Sequence, residues 1–292
     1  MKTTELNIRD PFVLVHGGKY YLYGTRSATC WGPADGFDCY VGGDLENWEG
    51  PIEIFHRPHG FFADREYWAP ECVAHNGAFY LFSTFGAGNR KQGVYVLKSD
   101  SPTGPFLPFG ERLTPEDWNC IDGSVYFEDG VPYLSFSHSL LDIPDGEICA
   151  VRLSPDLSRA EGRPFKLFSA SEAPWARPVP FAKAEFGIEG DAYFTDGPYI
   201  FTADDGKLYM TWSSWSDHGY AVGVAHAESG AIRGPWKQMK EPLYPENGGH
   251  GMMFRDLDGR LMFTLHYPND KYLERPVFRQ VLTDKSGLRL AE

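Results

Sequence analysis

The sequence predicts an all-β chain: a five-bladed β-propeller, with four-stranded antiparallel blades around a central axis. Two observations carry this. One hairpin-like pattern occurs five times in order along the 292 residues, and further short strand-like runs fill the intervals between the copies. Radial repetition of four-stranded units is the architecture that such a sequence builds. A two-sheet sandwich also uses many short strands, but it gives no reason for the copies to resemble one another. No segment carries the apolar stripe of a helix.

The first copy runs from Ile8 as "IRDPFVLVHGGKYYLYG", two apolar runs about a Gly17-Gly18 turn. The others are "APECVAHNGAFYLFSTF" from Ala69, "DGSVYFEDGVPYLSFSH" from Asp122, "DGPYIFTADDGKLYMTWSS" from Asp196 and "HGMMFRDLDGRLMFTLH" from His250. Their turns are Asn76-Gly77, Asp129-Gly130, Asp205-Gly206 and Asp258-Gly259. Asn-Gly or Asp-Gly between strand-like runs is the strongest short-range hairpin signal, because both central residues of the favoured turn need positive φ. Between the hairpins, "GVYVLKSD" and "YAVGVAHAES" read as outer strands, followed by the related turns "SPTGPF" and "AIRGPW". The copies start at residues 10, 69, 122, 196 and 250. This spacing is uneven, yet each interval is long enough for about four strands.

The 32 Gly and 22 Pro are scattered as turn residues and not gathered into a linker, so residues 1–292 read as a single domain. A formal charge of −13 disfavours nucleic acid and anionic membrane surfaces as partners, since both need a basic footprint. The start of the chain lacks the profile of a signal peptide, and the expected location is cytoplasmic. Five cysteines without a Cys-x-x-Cys pair suit reduced, buried thiols better than a disulfide framework or a zinc site.

In a propeller the innermost strand of each blade lines the axis, so the start residues of the five hairpins should form a ring. Its expected members are Asp10, Ala69, Asp122, Asp196 and His250. A single aspartate before Pro or Gly is an ordinary turn residue. Three in register repel one another, and their joint presence points to chemistry or to a bound cation. Two carboxylates flanking a glycosidic bond can serve as base and acid, and a third can tune the acid.

The stretches "IRDPFVLVHGGKYYLYGT", "YWAPECVAHNGAFYLFSTF", "CIDGSVYFEDGVPYLSF" and "NGGHGMMF" resemble the blade motifs of glycoside hydrolase family 43. The likeness extends from about Ile8 to Arg279. It implies the five-bladed propeller and an inverting hydrolase acting on arabinose- or xylose-containing saccharides. By motif, it implies that Asp10 is the general base and that Asp122 raises the acid's pKa and orients it. The family's acid is the glutamate of an "EGP" motif, where this chain has "TDGPYIF", so Asp196 takes the place with a side chain one methylene shorter. Three options stay open: Asp196 is the acid, Glu189 or Asp191 stands in for it, or hydrolysis is lost and a sugar-binding propeller remains. A related propeller clan acting on fructose-type substrates is a weaker reading.

The resemblance also implies that His250 could hold a hydrated calcium or other cation in the axial channel, the alternative being a histidine packed between blades. No cofactor is expected for the chemistry itself, which needs only water, a base and an acid. Trp68 could stack on a sugar or pack between blades. Glu71 could bind a sugar hydroxyl or pair with a nearby cation. Arg275 could reach the pocket or form a salt bridge with Glu274 or another acid. Trp31, Phe62, Trp212 and Trp215 are candidate wall residues. The expected substrate is a short plant-type oligosaccharide, from which a terminal α-L-arabinofuranose or β-D-xylose is removed.

Overall fold

In the computed structural model, which describes residues 1–284 and 287–291, five four-stranded antiparallel sheets follow one another in chain order. The first blade is β1 (Ile8–His16), β2 (Lys19–Arg26), β3 (Gly36–Gly42) and β4 (Glu49–His56). The second is β5 (Arg65–His75), β6 (Ala78–Ala87), β7 (Arg90–Ser99) and β8 (Leu107–Phe109). The third is β9 (Cys120–Glu128), β10 (Val131–His138), β11 (Glu147–Leu153) and β12 (Ala160–Ser169). The fourth is β13 (Asp196–Thr202), β14 (Leu208–Ser216), β15 (Gly219–Ala227) and β16 (Trp236–Gln238). The fifth is β17 (Gly249–Arg255), β18 (Leu261–Tyr267), β19 (Arg275–Asp284) and β20 (Gly287–Leu290). Each repeated hairpin is the inner strand pair of a blade. At the Asn76-Gly77 and Asp129-Gly130 turns both residues have positive φ, as the sequence requires.

Apolar side chains pack between blades. One cluster joins the first and second blades through Leu22, Phe37, Phe55, Tyr67 and Phe85, and it also takes in Met252 and Phe254 of β17. Others bridge the second and third blades through Phe82, Val94 and Phe136, the third and fourth through Phe168, Trp175 and Trp212, and the fourth and fifth through Val222, Val224 and Phe263. The five cysteines are buried and unpaired.

Every inner strand pair breaks register at the same place, opposite the start of its hairpin. At each break one residue has positive φ: Asp10 (51°), Ala69 (46°), Asp122 (58°), Gly197 (46°) and His250 (49°). This corrects the expected ring at one position, because the fourth blade's member is Gly197 and Asp196 stands one residue earlier. Non-glycine residues in this region cost about 1–3 kcal/mol each and persist only where their surroundings hold them. Here the neighbouring blade does so. Thr25 Oγ1 accepts the Ala69 N–H at 2.8 Å, Thr84 Oγ1 that of Asp122 at 2.8 Å, Ser213 Oγ that of His250 at 2.9 Å, and His266 Nδ1 that of Asp10 at 3.2 Å. Between the third and fourth blades, Ser137 Oγ donates to the main-chain oxygen of Thr195 at 2.6 Å.

The first and fifth blades share no strand, so the ring is shut by side chains. Glu274, fully buried, accepts from Arg9 Nη1 at 2.8 Å and from Ser27 Oγ at 2.7 Å. The long interval between the third and fourth hairpins is an insertion, residues 170–195, that contains helix α1 (Ala182–Phe186). It packs on Leu140 through its own small core of Val179, Ala182 and Ala192.

Candidate active site

The strained inner-strand residues open into a cavity of about 310 Å³. Asp10, Asp122, Asp196 and His250 line it, each at most 8% exposed. The imidazole is their common centre: His250 Nδ1 lies 3.1 Å from Asp196 Oδ1, 3.6 Å from Asp10 Oδ1 and 3.8 Å from Asp122 Oδ2. Its ring lies against the α-carbon of Gly197, where a Cβ would come within 2.9 Å of it. The glycine therefore meets two demands, positive φ and room for His250.

Charge is distributed unequally among these groups. Burial opposes ionisation of His250, but Asp10, Asp196 and Asp122 outweigh it and push the imidazole up to about 10, so it is a cation at neutral pH. Burial likewise opposes ionisation of Asp10, yet His250, the His266 hydrogen bond and Arg9 hold its carboxyl well below the usual range. Thr25 Oγ1 donates to Asp10 Oδ2 at 2.6 Å. Asp10 is thus an oriented, ionised carboxylate, the form that a base must have. Asp122 and Asp196 differ. Burial and the neighbouring Asp196 drive Asp122 far above the carboxylate range. Against its own burial, Asp196 is held down by the hydrogen bond from Asp122 and by His250. Two carboxyls this close hold one proton between them, ready for an acid's work.

The cavity walls are aromatic on both sides of this charge. Trp31 and Trp68 stand on one side, with ring centroids 6.1 Å apart, and Trp68 Nε1 donates to the Cys30 main-chain oxygen at 2.8 Å. Opposite are Leu140, Phe181, Phe186, Phe194 and Trp215, several of them on the insertion. Arg9 and Lys271 both lie over the Trp31 ring, each 5.1 Å from its centroid. A larger depression of about 580 Å³, between β16 and β20, contains none of the converging groups.

Other expected residues lie elsewhere. Glu71 is buried on β5 and does not line the cavity. Burial pushes its carboxyl up to about 8, against a bond with Ser124 and the nearby His250, and its Oε2 has no partner. Arg275, expected as a sugar-binding residue, does not line the cavity: its Nε donates to the Thr4 main-chain oxygen and its Nη1 to that of Glu274. The Glu274 carboxylate pairs with Arg9 instead. Trp212 is core, and Phe62 packs on Phe61 and Tyr95. Glu189 forms a surface ion pair with Lys183 at 3.0 Å, and Asp191 is exposed; neither lines the cavity, whereas Asp196 does.

Sequence reasoning missed Tyr220, Arg9, His266 and Glu274. Tyr220, on β15, donates from its hydroxyl to Asp196 Oδ2. Its ring stacks on His266 and covers Gly249, where a Cβ would fall 1.8 Å from the ring. The first glycine pair of "NGGHGMMF" was therefore a signal that something large lies against that strand.

An axial pocket that gathers three carboxylates between aromatic walls defines a class, that of the propeller glycosidases. The chain belongs to glycosyl hydrolase family 43, whose family model matches residues 3–286. An endo-arabinase structure from Bacteroides thetaiotaomicron is 39% identical, with a TM-score of 0.89 and 98% of each chain covered. A thermostable family-43 glycoside hydrolase structure, 23% identical with a TM-score of 0.81 over 98% of this chain and 93% of that one, shares the fold. Among curated proteins, an exo-α-(1→5)-L-arabinofuranosidase of Cellvibrio japonicus is 28% identical over 53% of this chain and 46% of its own length. A xylosidase/arabinosidase of Humicola insolens is 29% identical over 46% and 44%. The matches thus span about half the length of these curated relatives.

Proposed function

We propose that the protein is an inverting glycosidase that removes a terminal pentose, α-L-arabinofuranose before β-D-xylose, from short oligosaccharides. One observation carries this reading: the carboxyls of Asp10, Asp122 and Asp196 converge on one imidazole and line the same cavity. In this reading Asp10 takes the proton of the attacking water, Asp196 supplies one to the leaving oxygen, and Asp122 holds that proton in reserve. His250 offsets the negative charge of the group. The arabinase and arabinofuranosidase likenesses support arabinose, and the insertion, walling one side of the cavity, supports action at a chain end.

Release of sugar from 4-nitrophenyl α-L-arabinofuranoside and β-D-xyloside tests the activity. Turnover is expected to vanish in Asp10→Asn, and the anomer first released, read by NMR, checks inversion. A sugar-binding propeller without turnover is favoured only by the shortened acid; binding of arabino-oligosaccharides by a wild type that hydrolyses none of them would establish it.

The reading extends to a hydrated calcium or similar cation in the axial channel. Glu71 and His250 could hold such an ion: Glu71 Oε2 is buried without a hydrogen-bond partner, and His250, a cation without the ion, would give up its Nε2 proton to bind while Nδ1–H stays on the carboxylates. The ion would supply positive charge that offsets the negative charge of the acids. Metal analysis of the purified protein, with melting temperature before and after chelation, tests it.

A further inference from the structure

We propose that Tyr220 completes the general acid, its hydroxyl passing a proton to the leaving glycosidic oxygen while Asp196 replaces it. This rests on the glycosidase reading above and names a residue outside the hairpin stretches that carry the resemblance. The starting point is the short side chain of Asp196, set one residue before the strained ring position, which Gly197 takes. Both carboxyl oxygens are engaged. Oδ1 faces His250 Nδ1 at 3.1 Å, and Oδ2 receives the Tyr220 hydroxyl. Tyr220 and Asp196 both line the cavity, so the hydroxyl bonded to Oδ2 belongs to a second residue at the substrate space.

The phenol is built into place. Tyr220 sits opposite Trp215 in the β14–β15 ladder, and its ring is held by His266 (5.8 Å between centroids, 22° between planes), Trp215 (5.9 Å) and Phe194 (6.4 Å). Gly249 provides the floor, since any side chain there would occupy the ring's position. A ring fixed on this many sides holds its hydroxyl where a rotating side chain would not.

The protons balance without a further reactant. As the bond from the anomeric carbon to the leaving oxygen breaks, that oxygen takes the phenolic proton. The proton that Asp122 and Asp196 share passes onto Asp196 and from its Oδ2 to the phenol oxygen. The attacking water gives its proton to Asp10. The Asp122–Asp196 pair ends without its shared proton, Asp10 ends protonated, and Tyr220 is unchanged.

The test compares leaving groups. Nitrophenolate leaves with little protonation, whereas the sugar alkoxide of α-1,5-arabinobiose requires it. In Tyr220→Phe, kcat/KM on the disaccharide is expected to fall roughly 10²–10⁴-fold, the range of general acid catalysis, while the nitrophenyl substrate loses less than about tenfold. Adding Asp196→Glu to Tyr220→Phe is expected to restore disaccharide hydrolysis, because the longer acid reaches the oxygen unaided. Equal losses on both substrates with no rescue would mark Tyr220 as structural and overturn the proposal, leaving the glycosidase reading intact. A folded wild type that cleaves neither substrate, nor longer arabino-oligosaccharides, overturns both.

Discussion

Single side chains here serve two structures at once. Thr25 Oγ1 accepts the Ala69 N–H of the next blade and donates to the Asp10 carboxylate of its own. Thr25→Val keeps the shape and removes both bonds. It is expected to cost about 1–3 kcal/mol in denaturant unfolding, because a buried N–H loses its acceptor, and to lower kcat more than it changes KM. His250 provides a pH signature. Its folded pKa, about 10, lies above the ordinary 6.5, so its contribution to stability is complete below pH 6.5 and is lost as pH rises toward about 10. Melting temperature is expected to decline across that window in the wild type and to change less in His250→Gln. At this scale Asp10, Asp122, Asp196 and His250 were legible because each opens a repeated hairpin. The place of Asp196 was legible in part: aligning "TDGP" on its proline, as in "RDP" and "APE", puts glycine in the ring. Tyr220 was not legible, since it comes from a third strand with no motif and acts through a contact that only packing creates.

At the scale of elements, the inner strands make the site. A register break with one residue at positive φ turns each start residue out of its ladder, which is how three unrelated dipeptides, Asp-Pro, Asp-Gly and His-Gly, reach one focus. The turns and strand pairs could be read from Asn-Gly and Asp-Gly spacing. The meaning of the one long interval could not, because α1 has only five residues and no periodicity, and its role as cavity wall depends on Leu140 and Trp215 from other elements. The Tyr220 floor gives an element-level prediction. Gly249→Ala places a methyl in the space of the ring, and it is expected to cost about 1–3 kcal/mol of stability and to reduce hydrolysis, whereas Gly43→Ala, at a position with open space, should change neither. Thermal melts and nitrophenyl assays on the pair check this.

For the whole molecule the decisive feature is closure without strand exchange. Five short-range blades are easy to infer from repeats, but the residues that shut the circle lie at opposite ends of the sequence and share no pattern. Glu274 is expected to be costly to remove: Glu274→Ala leaves the Arg9 guanidinium buried and unpaired, a loss of about 3–5 kcal/mol measurable by denaturant unfolding. The inter-blade hydrogen bonds hold a further asymmetry. Where Thr25, Thr84 and Ser213 use hydroxyls, which do not titrate, the closing blade uses an imidazole, His266, to accept the Asp10 N–H. Burial and Arg9 depress its pKa, so it stays neutral and its contribution to stability is complete above pH 6.5, then lost as pH falls from there through the folded value. A proton on Nδ1 would remove the acceptor. Four joints of the propeller are indifferent to acid, and the fifth, which makes a row of blades into a ring, is a latch that protons can lift.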